Sequence, residues 1–286
     1  MFGESNTIDG MVLATLQAGL TTDRCVIDAH LVQLLAGEAT HVGGVIDAAM
    51  RYAVLGPAQR IRPILALRVA RVLSAPVDLT LPAALALELL HCASLVVDDL
   101  PCMDDSPLRR EQPSLHVKFG ESTAVLAAFG LVALSARTLV ECQCAAAYKD
   151  RLIQFQIALL RSLDCAGLIA GQALDLRLDE QSGDTSSYDV SELKTVPLFL
   201  LAVSAGTLFA GVDPNEKALL NGFGREFGLA FQMTDDVLDG ESADLCVLED
   251  KLTTLRATIA PFGTARRDLE ELVDYLHARV ASRHAE

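Results

Sequence analysis

Apolar positions recur every three or four residues along most of this chain, and no stretch sustains the alternation of a half-buried strand. The spacing predicts helices over Leu81–Val97, Thr123–Cys144, Asp150–Leu163, Ala166–Asp179, Ser191–Ala210, Asn215–Leu238 and Thr264–Ser282. Between them lie GPAQRIRP at Gly56–Pro63, the loop Asp105–Gly120, the polar run DEQSGDTSSYD at Asp179–Asp189, and Gly240–Asp250, all read as breaks. The fold class that follows is all-α. No Gly-, Ser- or Pro-rich linker, internal repeat or low-complexity run divides the 286 residues, so residues 1–286 are read as a single domain.

Composition narrows the picture. The chain is 51% hydrophobic, rich in Ala and Leu and without Trp, which suits closely packed helices. Two apolar segments, Ser122–Val140 and Val196–Gly211, invite a membrane reading. The first carries Arg137 and small polar residues and the second is short for a bilayer, so both are read as buried helices and no transmembrane segment is expected. The opening MFGESNTIDG lacks a basic stretch followed by an apolar core, so a secretory signal is not expected. Seven cysteines lie scattered in mostly apolar contexts, without C-x-x-C pairs or histidines at zinc spacing, which fits buried thiols in a reducing, cytoplasmic compartment. A net charge of −15 argues against a nucleic-acid partner and leaves any anionic substrate dependent on local Arg, Lys and metal.

Two acid clusters carry the candidate chemistry: Asp98, Asp99, Asp104 and Asp105 in VVDDLPCMDD, and Asp235, Asp236 and Asp239 in FQMTDDVLDG. Each closes an apolar stretch, where carboxylates are costly unless a cation neutralises them. Asp235 and Asp236 stand four and three residues before Asp239, so on a helix the three share one face. Pro101 is expected to loosen the first helix so that Asp104 turns back toward the pocket of Asp98 and Asp99. All-oxygen ligands without converging His or Cys favour Mg²⁺, which shares itself readily with substrate phosphates. A solvated helix end explains either cluster alone; two such clusters favour the metal. Arg60 and Arg62, and Arg109 and Arg110, supply guanidinium forks suited to phosphate oxygens, with plain surface charge the alternative for either pair.

The stretch ELLHCASLVVDDLPCMDDSPLRREQPSLHVKFGES (Glu88–Ser122) resembles the first aspartate-rich region of the trans-isoprenyl diphosphate synthases, the polyprenyl synthetase family, and especially the bacterial geranylgeranyl diphosphate synthases. LGPAQRIRP (Leu55–Pro63), GLIAGQALDL (Gly167–Leu176), LKTVPLF (Leu193–Phe199) and FQMTDDVLD (Phe231–Asp239) follow in the family's order over most of the chain. The resemblance implies an isoprenoid synthase bundle of roughly ten or more helices around a deep central cavity, assembled as a homodimer. It implies an allylic diphosphate held through about three Mg²⁺ ions, condensed with isopentenyl diphosphate after its C–O bond ionises. On it, Asp98, Asp99 and Asp104 bind metal on one wall and Asp235, Asp236 and Asp239 on the other. Arg109 holds the allylic diphosphate, while Gln59, Arg62, His91 and Arg110 face isopentenyl diphosphate. Lys194, Thr195 and Gln232 match positions that touch the allylic diphosphate or line its cation with oxygen dipoles. Without the motif around it, His91 reads as a hydrogen-bonded core histidine, and Gln172 as either a lining residue or a packing amide.

The departures all subtract positive charge or add negative charge. Gln59 stands where the family carries Lys, R-R-G-K-P has become Arg109-Arg110-Glu111-Gln112-Pro113, and of the lysines after the second cluster only Lys251 remains, in a shortened segment. These changes open a second reading, a weakly active or regulatory prenyltransferase subunit. A class I terpene cyclase is a third, disfavoured by the intact DDVLD at Asp235–Asp239. The side chains five and four positions before Asp98, Ala93 and Ser94, are small. By the family's rule they leave the cavity floor open past a C15 tail and imply geranylgeranyl diphosphate as product, with farnesyl diphosphate the runner-up.

Overall fold

The computed structural model describes residues 10–36, 44–164, 167–180, 193–240 and 245–281. Among these, the first four α-helices are α1 (Gly10–Ala36), α2 (Gly44–Leu55), α3 (Ile61–Val72) and α4 (Val77–Asp98). A two-stranded hairpin follows, β1 (Leu108–Arg109) paired antiparallel with β2 (Gln112–Pro113), then α5 (Leu115–Phe119) and α6 (Glu121–Val140). The rest is α7 (Lys149–Arg161), α8 (Leu168–Glu180), α9 (Val196–Thr207), α10 (Pro214–Asp239), α11 (Leu245–Ile259) and α12 (Arg267–Ala281), with a 3₁₀ stretch, Ala260–Arg266, before the last.

α4 is the central rod. It is apolar nearly all round and packs on α6, α3, α9 and α2, so Leu81 through Leu90 are buried on every face except at Pro82. α9, equally apolar, lies between α3 and α10. Its Gly206 permits the approach to α3: a Cβ there would stand 2.5 Å from Val69 Cβ and 2.6 Å from the Ala66 carbonyl oxygen. α4 and α6 are long and apolar enough to cross a bilayer, but α4 spends its surface on the bundle core. α6 buries one side and exposes Val125, Leu126 and Phe129 on the other.

Helix ends follow local chemistry. Asp213 accepts from the amides of Asn215 (2.7 Å) and Glu216 (2.9 Å), while Glu216 accepts from the Asp213 amide (3.1 Å), a capping box that starts α10 one residue ahead of Asn215. Gly240, at φ 87°, closes the same helix. The expected helix over Thr123–Cys144 begins earlier and ends at Val140, and that over Ser191–Ala210 is α9 alone among the described residues. The expected break Gly240–Asp250 is in part a correction: α11 starts at Leu245. Leu248, Leu252, Leu255 and Ile259 form a buried helical stripe there, which Glu249 and Asp250 on the outer side concealed. Within the expected loop Asp105–Gly120 the chain forms the hairpin and α5.

Buried ion pairs lock the N-terminal half. Arg60, 3% exposed, donates to Glu88 on α4 (2.7 Å), to Asp28 on α1 (2.8 Å) and to the Val54 carbonyl at the end of α2. Burial, the largest single effect, opposes its charge, yet Glu88, Cys92 and Asp28 together outweigh burial and the guanidinium stays charged. Asp23 on α1 takes Arg68 (2.8 Å) and Arg71 (2.9 Å) of α3, and Arg68 also reaches Glu271 on α12 (3.0 Å). Replacing Glu88 by Ala would leave Arg60 short of its buried partner. We expect a loss of about 3 kcal/mol in chemical unfolding, the low end for a broken buried pair because Asp28 still holds Nε. A loss below about 1 kcal/mol would show that the pair is not desolvated.

Candidate active site

Several elements converge on a cavity of about 700 Å³. One stripe of α4 supplies Glu88, His91, Ser94, Leu95 and Asp98, at spacings of three and four residues. The turn into α3 supplies Gln59, Arg60 and Arg62, the hairpin Arg109, Arg110 and Glu111, the entry to α9 Lys194 and Thr195, and α10 Phe231, Gln232 and Asp235. Of the residues expected from sequence, the cavity thus brings together Gln59, Arg62, His91, Ser94, Asp98, Arg109, Arg110, Lys194, Thr195, Gln232 and Asp235.

Asp99, Asp104, Asp236 and Ala93 lie off its wall. Asp99 is 3% exposed and turned to Arg109, whose Nε donates to Oδ1 at 3.0 Å. Asp104 folds back as the proline implied: its amide donates to the Asp98 carbonyl (2.9 Å), and its carboxylate accepts from Gln172 Nε2 (3.2 Å). Gln172, left open between lining and packing, is thus a carboxylate partner, with Oε1 buried and unbonded. Asp236 accepts from Gln232 Nε2 (2.9 Å), and Gln232 Oε1 accepts from Thr195 Oγ1 (3.1 Å), so the two α10 groups and the α9 entry form one relay. The side chain of Asp239 lies outside the described residues. Ala93 is 3% exposed in the core, and the Ser94 hydroxyl donates to the His91 carbonyl (2.8 Å). Arg60, paired with Arg62 in the sequence reading, differs in role: all three of its guanidinium nitrogens are spent on protein acceptors.

The electrostatics split the cavity into two walls. On the acid wall, burial pushes the Asp98 carboxyl up to about 6, Asp104 and Asp99 push the same way, and Lys194 and Arg109 oppose them. Asp235 pairs with Arg279 of α12 (2.7 Å), and Lys194 pairs with Asp175 of α8. On the cation wall, burial lowers the Arg62 guanidinium to about 10, still charged at neutral pH. Burial, then Arg62 and Arg110, hold His91 well below its usual range, so it is neutral. Arg62 Nη1 lies 3.0 Å from His91 Nε2, and because Arg can only donate, Nε2 accepts and the proton sits on Nδ1. Both Arg62 Nε and His91 Nδ1 are then buried N–H donors without an acceptor. Such orphans are expensive unless a ligand satisfies them, and their number and charge suit an anion.

The acid wall presents the carboxylate oxygens of Asp98 and Asp235, the donors Mg²⁺ prefers, beside Lys194, Thr195 and Gln232. Among the described residues no three carboxylates converge as a ready metal site. Asp98 and Asp235 face the cavity from opposite helices and offer oxygens of the kind a hard divalent cation takes; Asp235, like Asp99, is paired with an arginine in this structure, Arg279 and Arg109 respectively. Sequence reasoning missed Arg279 and also Arg24 of α1, which lines the cavity. Neither lies in a motif, and each is brought in by a helix far from the acid clusters in the chain.

Comparison with known proteins gives the class. The family model for polyprenyl synthetase matches residues 44–245. The chain is 34% identical over 222 residues to geranylgeranyl pyrophosphate synthase 6, mitochondrial, of Arabidopsis thaliana, covering 73% of this chain and 66% of that protein. It is 31% identical over 267 residues to geranylgeranyl pyrophosphate synthase 7, chloroplastic, of the same plant, covering 84% and 76%. The chain thus spans about two thirds of the length of the first curated relatives it matches, 66%, 64% and 61% for three of them. Among solved structures it superposes on an FPP/GFPP synthase from Zymomonas mobilis with a TM-score of 0.84 and 26% identity, covering 92% of this chain and 98% of that one. A geranyltransferase from Legionella pneumophila matches with a TM-score of 0.84 and 29% identity, covering 94% and 99%. The chain belongs to the polyprenyl synthetase family, and its all-α bundle is the isoprenoid synthase fold.

The hairpin turn bears on that site directly. Arg110 and Glu111 join β1 to β2 with φ of 53° and 65°, left-handed conformations that cost a non-glycine residue about 1–2 kcal/mol each. Glu111 also places a carboxylate beside the cation wall. Glu111→Gly should raise stability by about 0.5–1 kcal/mol, the relieved strain less the greater chain entropy of glycine. A lowered midpoint in thermal unfolding would contradict the strained turn.

Proposed function

We propose that the protein is a Mg²⁺-dependent trans-prenyltransferase that condenses isopentenyl diphosphate with an allylic diphosphate of up to fifteen carbons to give geranylgeranyl diphosphate. The observation that carries this is the pairing, in one cavity, of the carboxylates of Asp98 and Asp235 with the orphaned N–H donors of Arg62 and His91. Such a cavity takes two diphosphates in different ways, one through metal and one through guanidinium and imidazole. Asp98 and Asp235, joined by Asp99, Asp104, Asp236 and Asp239, are the residues that would hold Mg²⁺, which when bound supplies charge neutralisation for a departing diphosphate.

The chain's own residues do the rest. Arg62, Arg110 and the neutral His91 hold the diphosphate of isopentenyl diphosphate, with Gln59 contributing a neutral amide in reach. Arg109, once exchanged from Asp99, and Lys194, once exchanged from Asp175, hold the allylic diphosphate. Thr195 Oγ1 and Gln232 Oε1, fixed by their mutual hydrogen bond, place oxygen dipoles where positive charge develops on the allylic carbon as its C–O bond breaks. C4 of isopentenyl diphosphate bonds that carbon, and a proton leaves C2 to restore the double bond. No protein nucleophile enters the reaction.

Small side chains at Ala93 and Ser94 support the C20 product, and Ser94 lies on the cavity wall itself. A regulatory or weakly active subunit is the second reading, favoured by Glu111 beside the cation wall and by Gln59. A homodimer is supported by the outer faces of α6 and α7. Leu126 and Phe129 on α6 are 55% and 69% exposed, and Ile153, Ile157 and Leu160 are exposed on α7, which packs against α6. A reducing cytoplasmic setting is supported by six free thiols among the described residues.

The purified chain, given Mg²⁺, labelled isopentenyl diphosphate and farnesyl diphosphate, should accumulate C20 diphosphate. Ala93→Phe should shorten the product toward C15 when the starter is a C5 or C10 allylic diphosphate. No elongation from any starter by folded protein would refute the synthase reading, and elongation restored by a second prenyltransferase subunit would establish the regulatory one. In sedimentation, Phe129→Asp should shift a dimer to monomer. A mutant that remains dimeric would place the interface elsewhere.

A further inference from the structure

Arg24 is a cation that the fold places with care and the site's motifs do not include. It stands on α1 between two anchored acids. Asp23, just before it, is held by Arg68 and Arg71 at 2.8 and 2.9 Å, and Asp28, one turn later, by Arg60 at 2.8 Å. Both carboxylates nearest in sequence are therefore spent, and among the described residues Arg24 pairs with no other. Its side chain lines the cavity that holds Gln59, Arg62, His91 and Arg110. It also reaches toward α12: the Tyr275 phenol, pushed up by burial, is drawn the other way by Arg279 and by Arg24.

The deeper part of this wall has a charge deficit for a diphosphate. Arg60 is committed to Glu88, His91 is neutral, Gln59 carries no charge, and Glu111 adds a negative one. Arg62 and Arg110 alone would face an anion of two or more charges. We propose that Arg24 is a substrate-binding residue, closing the metal-free diphosphate subsite from α1 and supplying the positive charge that Gln59 does not. The assignment rests on the prenyltransferase reading for the identity of the ligand, isopentenyl diphosphate. α1 then has a second task besides covering the bundle: it carries a guanidinium, free to swing, on a backbone fixed by its two neighbouring acids. Arg24 is exposed in the absence of ligand, so its contact is the outermost of the set.

The test is calorimetric titration of isopentenyl diphosphate without Mg²⁺ into the wild type, Arg24→Gln, Gln59→Lys and the double variant. Loss of an outer charge-assisted contact should weaken binding roughly tenfold in Arg24→Gln, and the double variant should return to within about threefold of wild type. Arg24→Lys should fall between wild type and Arg24→Gln. In the Mg²⁺ assay, KM for isopentenyl diphosphate should rise in Arg24→Gln while KM for the allylic diphosphate stays unchanged, a split that a merely structural role would not produce. Equal affinity in wild type and Arg24→Gln, or no rescue by Gln59→Lys, would overturn the proposal. A wild type that binds isopentenyl diphosphate but forms no prenyl product would refute the transferase reading alone, and the Arg24→Gln comparison would still decide the assignment. A wild type that binds no isopentenyl diphosphate would end both.

Discussion

The buried ion pair between Arg60 and Glu88 is the constraint on which the cation wall depends. With Asp28 and the Val54 carbonyl it ties the ends of α1, α2 and α3 to the middle of α4. Arg60 itself takes the left-handed conformation, φ 55°, as the residue that opens α3, a strain that its three side-chain hydrogen bonds over-determine. Two residues on, Arg62 enters the first turn of α3 beside Pro63, where a missing amide hydrogen costs nothing. One turn on from Glu88, His91 meets it at 3.0 Å. The orphaned donors of the site are thus placed by a pair that touches no diphosphate. An isolated pair of this kind adds little net stability, and its worth here is the single geometry it imposes.

The acid wall is organised by substitution. In the ligand-free protein, Arg109 covers Asp99, Arg279 covers Asp235, Gln172 holds Asp104 and Gln232 holds Asp236. The two arginines balance the charge of their carboxylates, and the two glutamines satisfy theirs by hydrogen bonding alone. The Asp98 carboxyl is shifted upward, because burial and its acid neighbours Asp104 and Asp99 outweigh Lys194 and Arg109. On the proposed function, binding would exchange ion pairs: Arg109 and Lys194, here on Asp99 and Asp175, would leave protein carboxylates for phosphate oxygens as metal took their place.

Much of this was legible in the chain. Carboxylates at the ends of apolar helices are costly without a cation, which made Asp98 and Asp235 visible, and the stripe from His91 to Asp98 follows from helical spacing. Pro101 announced the fold-back of Asp104, and helical spacing placed the start of α10 within one residue. What stayed hidden depends on contacts between distant segments. Asp99 reads in sequence as the equal of Asp98 and Asp104, and only the hairpin that brings Arg109 to it sets it apart. Arg60 and Arg62 are equivalent in sequence and differ only because Glu88 lies beneath one and His91 beside the other. α11 was obscured because acids on its outer face masked the leucines beneath. Arg24 and Arg279 carry no motif, and only the packing of α1 and α12 against the cavity reveals them.

The claim at the centre is that one cavity binds two diphosphates by different means, and titration of each ligand with and without Mg²⁺ tests it most directly. Isopentenyl diphosphate and a non-ionising allylic thiolodiphosphate would be titrated separately into the intact protein. The account predicts that isopentenyl diphosphate binds with the same affinity in either condition, while the allylic analogue binds at least about tenfold more tightly with the metal. Binding of the allylic analogue that ignores Mg²⁺, or binding of isopentenyl diphosphate that requires it, would contradict the division of the cavity into an acid wall and a cation wall.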